Sequence, residues 1–205
     1  MSLFAAADAL GLVTFAVSGY LAGVRRGLDL LGVAIAAFLT ALGGGVVRDV
    51  IVGRTPVAFV QSSVLLFVML GVALAYLFRL HTRPSLERRT LFILSDSVGL
   101  VAFALTGAMV ALEAGFNLFG TMLLAFTTAV GGGMLRDMMT GTTPMVLTSD
   151  FYGTVALLVG ALLYSCEAFG CLGPTAITLT AAGALLLRLV AWKRGWQLPK
   201  PGENR

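Results

Sequence analysis

TALGGGVVRDVIVGRTP, residues 40–56, and TAVGGGMLRDMMTGTTP, residues 128–144, are one segment written twice, 88 positions apart. Extending the match outward at that offset lays residues 8–77 on 96–165 without a gap, and 26 of the 70 pairs are identical. DALGLVTFAVSG from Asp8 meets DSVGLVAFALTG from Asp96. That is more identity than apolar composition produces by chance, so the chain carries an internal duplication.

The solvent follows from composition. Of the 205 residues, 58% are hydrophobic and only 12% charged, against roughly 25% charged in a soluble domain. Apolar runs long enough to cross roughly 30 Å of hydrocarbon as helices recur from end to end. They place seven spans near residues 4–24, 31–52, 59–79, 91–112, 118–139, 151–170 and 175–192. The expected fold is an all-α membrane protein with two three-helix repeats and one extra C-terminal helix. Three regions follow: 1–90, the first repeat with its basic loop; 91–170, the second repeat; and 171–205, the seventh helix with a short basic tail. They form one integral membrane domain. Because each unit holds an odd number of spans, the second must enter the bilayer from the opposite face, and the repeats are inverted.

Charge position sets the orientation. Arg25 and Arg26 follow the first span; Arg79, Arg83, Arg88 and Arg89 fill the loop after the third; Arg188, Lys193, Arg194, Lys200 and Arg205 crowd the C-terminal end. In a seven-span chain these places share one face, which the positive-inside rule makes cytoplasmic. The N-terminus is then outside and the C-terminus inside, and the net charge of +4 implies no nucleic-acid partner. The first span has no basic residue ahead of it and carries Asp8, so it reads as mature protein rather than a signal peptide. Cys166 and Cys171 read as two buried thiols, and His81, the one histidine, as a solvated loop residue.

Function concentrates in the duplicated segment. Gly43, Gly44 and Gly45, like Gly131, Gly132 and Gly133, each cost about 1 kcal/mol relative to alanine in a helix. A kink or unwound turn is expected at both triplets, lining a central pathway; close helix packing through small residues is the competing reading. The triplets lack the Gly-Lys-Ser/Thr that a phosphate loop needs. Arg48, Asp49, Arg136 and Asp137 lie about one turn before the ends of their spans, where unpaired charge is costly. Topology offers partners. Asp8, Arg48 and Asp49 should gather near the outer mouth of the pathway, and Asp96, Arg136 and Asp137 near the inner one. Ser18 and Thr106, with Thr40 and Thr128, occupy equivalent places as pore hydroxyls, unless they bond back to their own helices. Pro56 and Pro144 close turns that end the second and fifth spans.

With GGG-x-x-RD doubled at one spacing, seven spans and a last span outside the repeat, the sequence resembles the trimeric intracellular cation channel (TRIC) family, in its short prokaryotic branch. The resemblance implies a homotrimer in a prokaryotic cytoplasmic membrane, with one pore per subunit for monovalent cations, chiefly potassium and secondarily sodium. The glycine-bent second and fifth helices would shape that pore. The fourth span has no Lys or Arg, so sensing through lysines in that helix, as in animal relatives, is not carried over. Inverted repeats with broken helices equally describe a secondary transporter for a small zwitterion such as glycine. An enzyme is not expected: no span carries a histidine, and no Ser-His, Cys-His, metal-ligand or cofactor pattern is present.

Overall fold

The computed structural model describes residues 3–148 and 151–196. Among them the chain is helical throughout: α1 (Leu3–Arg25), α2 (Leu30–Ile51), α3 (Val57–Val60), α4 (Ser62–Leu77), α5 (Ser85–Glu113), α6 (Leu118–Met139), α7 (Met145–Thr148), α8 (Gly153–Ala168) and α9 (Pro174–Arg194). Lys200 and Arg205 of the basic tail lie outside the described residues.

Equivalent residues start and stop the equivalent helices. Asp29 caps α2 by accepting from Gly32 N at 2.7 Å, and Asn117, 88 positions on, caps α6 by accepting from Gly120 N at 2.9 Å. Such a side chain supplies an acceptor that the first turn lacks.

Five helices, α1, α2, α5, α6 and α9, are long and apolar enough to cross a membrane. The third and sixth expected spans are shorter. Helix α4 begins at Ser62 because Gln61 is extended (φ −120°, ψ 110°), which separates it from the four-residue α3. Helix α8 covers 153–168, again 16 residues. A 16-residue helix spans about 24 Å, short of a full hydrocarbon core. The fourth expected span starts earlier than its apolar run, since α5 incorporates the polar Ser85–Thr90 stretch as its first turns.

Helix α5 is the most enclosed of the long helices, packing on α1, α6, α8 and α9, while α9 is the least covered. Paired contacts fix how the repeats meet. The ring of Phe103 occupies the space a Cβ on Gly11 would need, and the ring of Phe15 does the same at Gly99. Residue numbers rise along α1 as they fall along α5, so these equivalent helices are antiparallel. Phe15 and Phe103 meet edge to face, 5.2 Å apart at 84°, both buried.

Helices α2 and α6 cross at the glycine triplets. A Cβ on Gly44 would stand 2.0 Å from Thr128 O, and one on Gly132 would stand 1.9 Å from Thr40 O. Both helices remain α-helical through their triplets, so the expected unwound turn does not occur. The propensity cost is offset by packing: glycine lets two backbones approach where any side chain would collide.

Candidate functional site: two arginine–aspartate clusters

The last turns of α2 and α6 carry Arg48 and Arg136, and both are buried. Each Nε donates to Oδ1 of the next residue, Arg48 to Asp49 and Arg136 to Asp137, at 2.8 Å in both cases. Each Nη1 reaches the preceding long helix of its own repeat, Arg48 meeting Asp8 at 3.2 Å and Arg136 meeting Asp96 at shorter range. The guanidinium carbons lie over Phe4 and Phe92, equivalent by the same offset, at 5.8 and 4.7 Å. The remaining oxygen of each second aspartate accepts the amide that opens the next short helix. Val57 N donates to Asp49 Oδ2 and Met145 N to Asp137 Oδ2, both at 2.9 Å. All six charged residues expected to form two clusters are thus brought together three by three, and ionised partners make these hydrogen bonds stronger than neutral ones.

The hydroxyls join the halves by exchange. Ser18 of the first repeat accepts from Arg136 of the second at 2.6 Å and donates to Asp96 at 3.1 Å. Thr106 of the second repeat accepts from Arg48 of the first at 3.4 Å. Hence α1 runs from one cluster at Asp8 to the other at Ser18, and α5 runs back from Asp96 to Thr106. Ten residues of helix put the clusters about 15 Å apart, with Phe15 and Phe103 between them. Thr106 also bonds back, donating to Phe103 O at 3.3 Å, and Thr40 and Thr128 bond back to Ala36 O and Leu124 O of their own helices, at 2.6 Å each.

Several residues have roles that the linear pattern did not show. Arg54, in the loop after α2, donates to Asp49 Oδ1 from Nη2 at 2.7 Å. Arg188, counted among the basic residues of the cytoplasmic face, is buried on α9, with its guanidinium 5.0 Å from the ring centre of Tyr152 and within electrostatic reach of Asp96. The signal available was a lone arginine inside an otherwise apolar span. His81 is not simply solvated: Tyr20 Oη lies 3.0 Å from its Nδ1, and its ring stacks on Tyr76. The thiols are not both buried either, since Cys166 is half-buried and Cys171 exposed.

The surroundings differ in size. Beside the first cluster a cavity of about 20 Å³, lined by Asp8, Gly45, Arg48, Asp49 and Phe103, has room for about one water. Next to the second, an open cleft of about 440 Å³ is bordered by Arg25, Arg26, Arg89, Asp137, Thr140 and Thr142.

Apolar helices meeting through glycine, with buried ion pairs repeated about an internal symmetry, define an integral membrane protein built on a duplicated helical unit. A family model described as "Glycine transporter" matches twice, over residues 5–80 and 93–168, and those limits again differ by 88. The chain is 36% identical over 195 residues to a UPF0126 membrane protein of Deinococcus radiodurans, covering 92% of this chain and 87% of that one. It is 31% identical over 196 residues to the UPF0126 membrane protein YvgT of Bacillus subtilis, covering 93% and 92%. Among solved structures, a prokaryotic TRIC channel crystallised in 0.5 M KCl superposes with a TM-score of 0.86 at 30% identity, over 95% of this chain and 98% of that one. The TRIC orthologue from Rhodobacter sphaeroides gives 0.85 at 34% identity, over 96% and 100%. The chain belongs to the TRIC family, in its prokaryotic branch.

Proposed function

We propose that this chain is a monovalent cation channel, permeable to potassium, with one pathway in each subunit of a homotrimer. Seven spans, α4 and α8 included, cross the membrane as two inverted repeats plus α9, with the N-terminus outside and the C-terminus cytoplasmic. The pathway follows the antiparallel α1–α5 pair beside the crossing of α2 and α6. The observation that carries this reading is the pair of symmetry-related Arg–Asp clusters, one toward each end of that pair, in a fold shared with cation channels at TM-scores up to 0.86. A buried arginine raises a barrier to a passing cation, and its carboxylates lower it, so the local balance of charge sets the energy at each constriction. Between the clusters the Phe15–Phe103 contact is the apolar barrier that must part for ions to pass.

Recording from the purified protein in planar bilayers under a potassium chloride gradient tests this directly. Discrete unitary currents reversing near the potassium potential are expected. Saturable uptake of labelled glycine by vesicles, without unitary currents, would replace the channel by the transporter that the family model's description names.

A further inference from the structure

Helices in this chain end in a recurring frame. A glycine at positive φ follows the last helical residues, and the amide one position further donates back to a carbonyl five residues upstream. This closure brings the side chains at its two ends together. At the end of α2, Gly53 (φ 73°) allows Arg54 N to donate to Asp49 O at 3.0 Å, and the two side chains meet as an ion pair at 2.7 Å.

At the end of α8 the same frame holds two thiols. Gly170 (φ 67°) donates to Glu167 O at 2.9 Å, and Cys171 N donates to Cys166 O at 2.8 Å. Cys166 and Cys171 therefore stand where Asp49 and Arg54 stand, at the two ends of the same closure. They are the chain's two cysteines; Cys171 is exposed and Cys166 half-buried. We propose that this pair is a redox modification site, closing to an intrachain disulfide across the α8 cap. That it closes in the cell rests on the topology above, which puts the α8–α9 turn on the outer face, where disulfides persist.

The chemistry is exchange with a disulfide oxidant, either a low-molecular-weight disulfide or a dithiol–disulfide oxidoreductase. The exposed Cys171, as thiolate, attacks one sulfur of the oxidant, forming a mixed disulfide and expelling the oxidant's first thiolate. Cys166, as thiolate, then attacks Cys171 Sγ, forming the Cys166–Cys171 bond and releasing the oxidant's second sulfur. Both thiol protons and the two electrons end on the oxidant. The product ties the last turn of α8 to the turn that leads into α9, the helix that carries Arg188.

The test uses the full-length protein in detergent, equilibrated with oxidised glutathione, alkylated and weighed intact. A loss of about 2 Da and of both alkylation sites is expected, with both sites regained on reduction; Cys166→Ser and Cys171→Ser should each abolish the mass loss. Two alkylated cysteines after oxidation, a glutathione adduct that never closes, or a cross-linked dimer would each overturn the disulfide. Topology is read separately with a membrane-impermeant maleimide on reduced, oriented vesicles. Labelling of Cys171 from the outer side alone supports closure in the cell. Labelling from the cytoplasmic side alone overturns the topology and in-cell closure, whatever the mass measurement gives.

Discussion

The two halves of this molecule place the same three charges in the same way and then neutralise them by different routes. Around Asp8, Arg48 and Asp49 the extra cation is Arg54, a loop residue of the same repeat, 36% exposed. The equivalent position in the second repeat is Thr142, which carries no charge and bonds to Asp137 O. There the nearby cation is Arg188, from a helix that lies outside the repeat. Asp8 is also 20% exposed, whereas Asp96 and Arg136 are almost fully enclosed. The ion pairs are common to both halves, and the additional cation differs: Arg54 on Asp49 in the first, Arg188 near Asp96 in the second.

That difference ranks the consequences of breaking each pair. Arg136→Gln leaves Asp137 with the Met145 amide and Asp96 with Ser18, but Asp96, 1% exposed, has lost its ion pair with no solvent to replace it, a lesion worth about 3–5 kcal/mol. In Arg48→Gln, Asp49 keeps Arg54 and the Val57 amide, and Asp8 reaches solvent, so a loss of about 1–2 kcal/mol is expected. Thermal aggregation followed by fluorescence-detected size exclusion in detergent should show the larger fall in Tm for Arg136→Gln. Equal falls would mean that Arg54 and solvent contribute nothing to the first cluster. If the proposed pathway runs between the clusters, the two variants should bend the current–voltage curve in opposite directions, because one cluster would then stand toward each end.

The glycine crossing should behave in the opposite manner, responding equally in the two halves. Gly44→Ala and Gly132→Ala each drive a methyl into a backbone carbonyl that cannot swing aside. Overpacking of this kind costs about 1–3 kcal/mol. Gly45→Ala meets nothing nearer than Arg48 at 3.8 Å and serves as the neutral control. Lower conductance with unchanged Tm at Gly44 and Gly132 would return these residues to the role of hinges rather than packing surfaces.

Part of this was legible in the sequence, for physical reasons. A duplication with an odd number of spans constrains topology, and a charge inside an apolar run must find a partner, so the membership of both clusters followed from Asp8, Arg48, Asp49 and their equivalents. At the glycine triplets the sequence left bending and packing side by side, because propensity is a local quantity: it registers the cost of glycine in a helix and is blind to the helix crossing that offsets it. Ser18 and Thr106 crossing to the other half's arginine, and Arg188 reaching the second cluster, depend on how helices far apart in the chain rotate against one another. No spacing within one span encodes that. The break at Gln61 was legible in part, since Gln61, Ser62 and Ser63 interrupt the apolar run with three polar residues in a row.

A smaller effect is expected from Arg54→Gln. Half in solvent, Arg54 shares Asp49 with Arg48, and an ion pair of that exposure contributes about 0.5–1 kcal/mol. The Tm loss should shrink in high salt, as a partly exposed pair is screened. A salt-independent loss would show that Arg54 acts through packing at the end of α2.

The smallest effect is the most discriminating. Thr142 stands to Asp137 as Arg54 stands to Asp49: in both places the amide donates to the aspartate's carbonyl, at 2.8 and 3.0 Å, around a glycine at positive φ. An arginine at 142 therefore has a ready-made route to Asp137 Oδ1. In the parent, Thr142→Arg should change Tm little, since Arg188 already offsets the local surplus of negative charge. In an Arg188→Gln background that surplus is uncovered, and the added arginine should recover about 0.5–1 kcal/mol of whatever the first substitution removed, the worth of a partly exposed pair. The measurement is a double-mutant cycle on Tm, with Thr142→Gln as the uncharged control for side-chain bulk. Coupling that appears with arginine and vanishes with glutamine would mean that loop and α9 cations are interchangeable suppliers of one charge. Strict additivity would mean that Arg188 is held for its contact with Tyr152, and that the second cluster tolerates a net negative charge that the first does not carry.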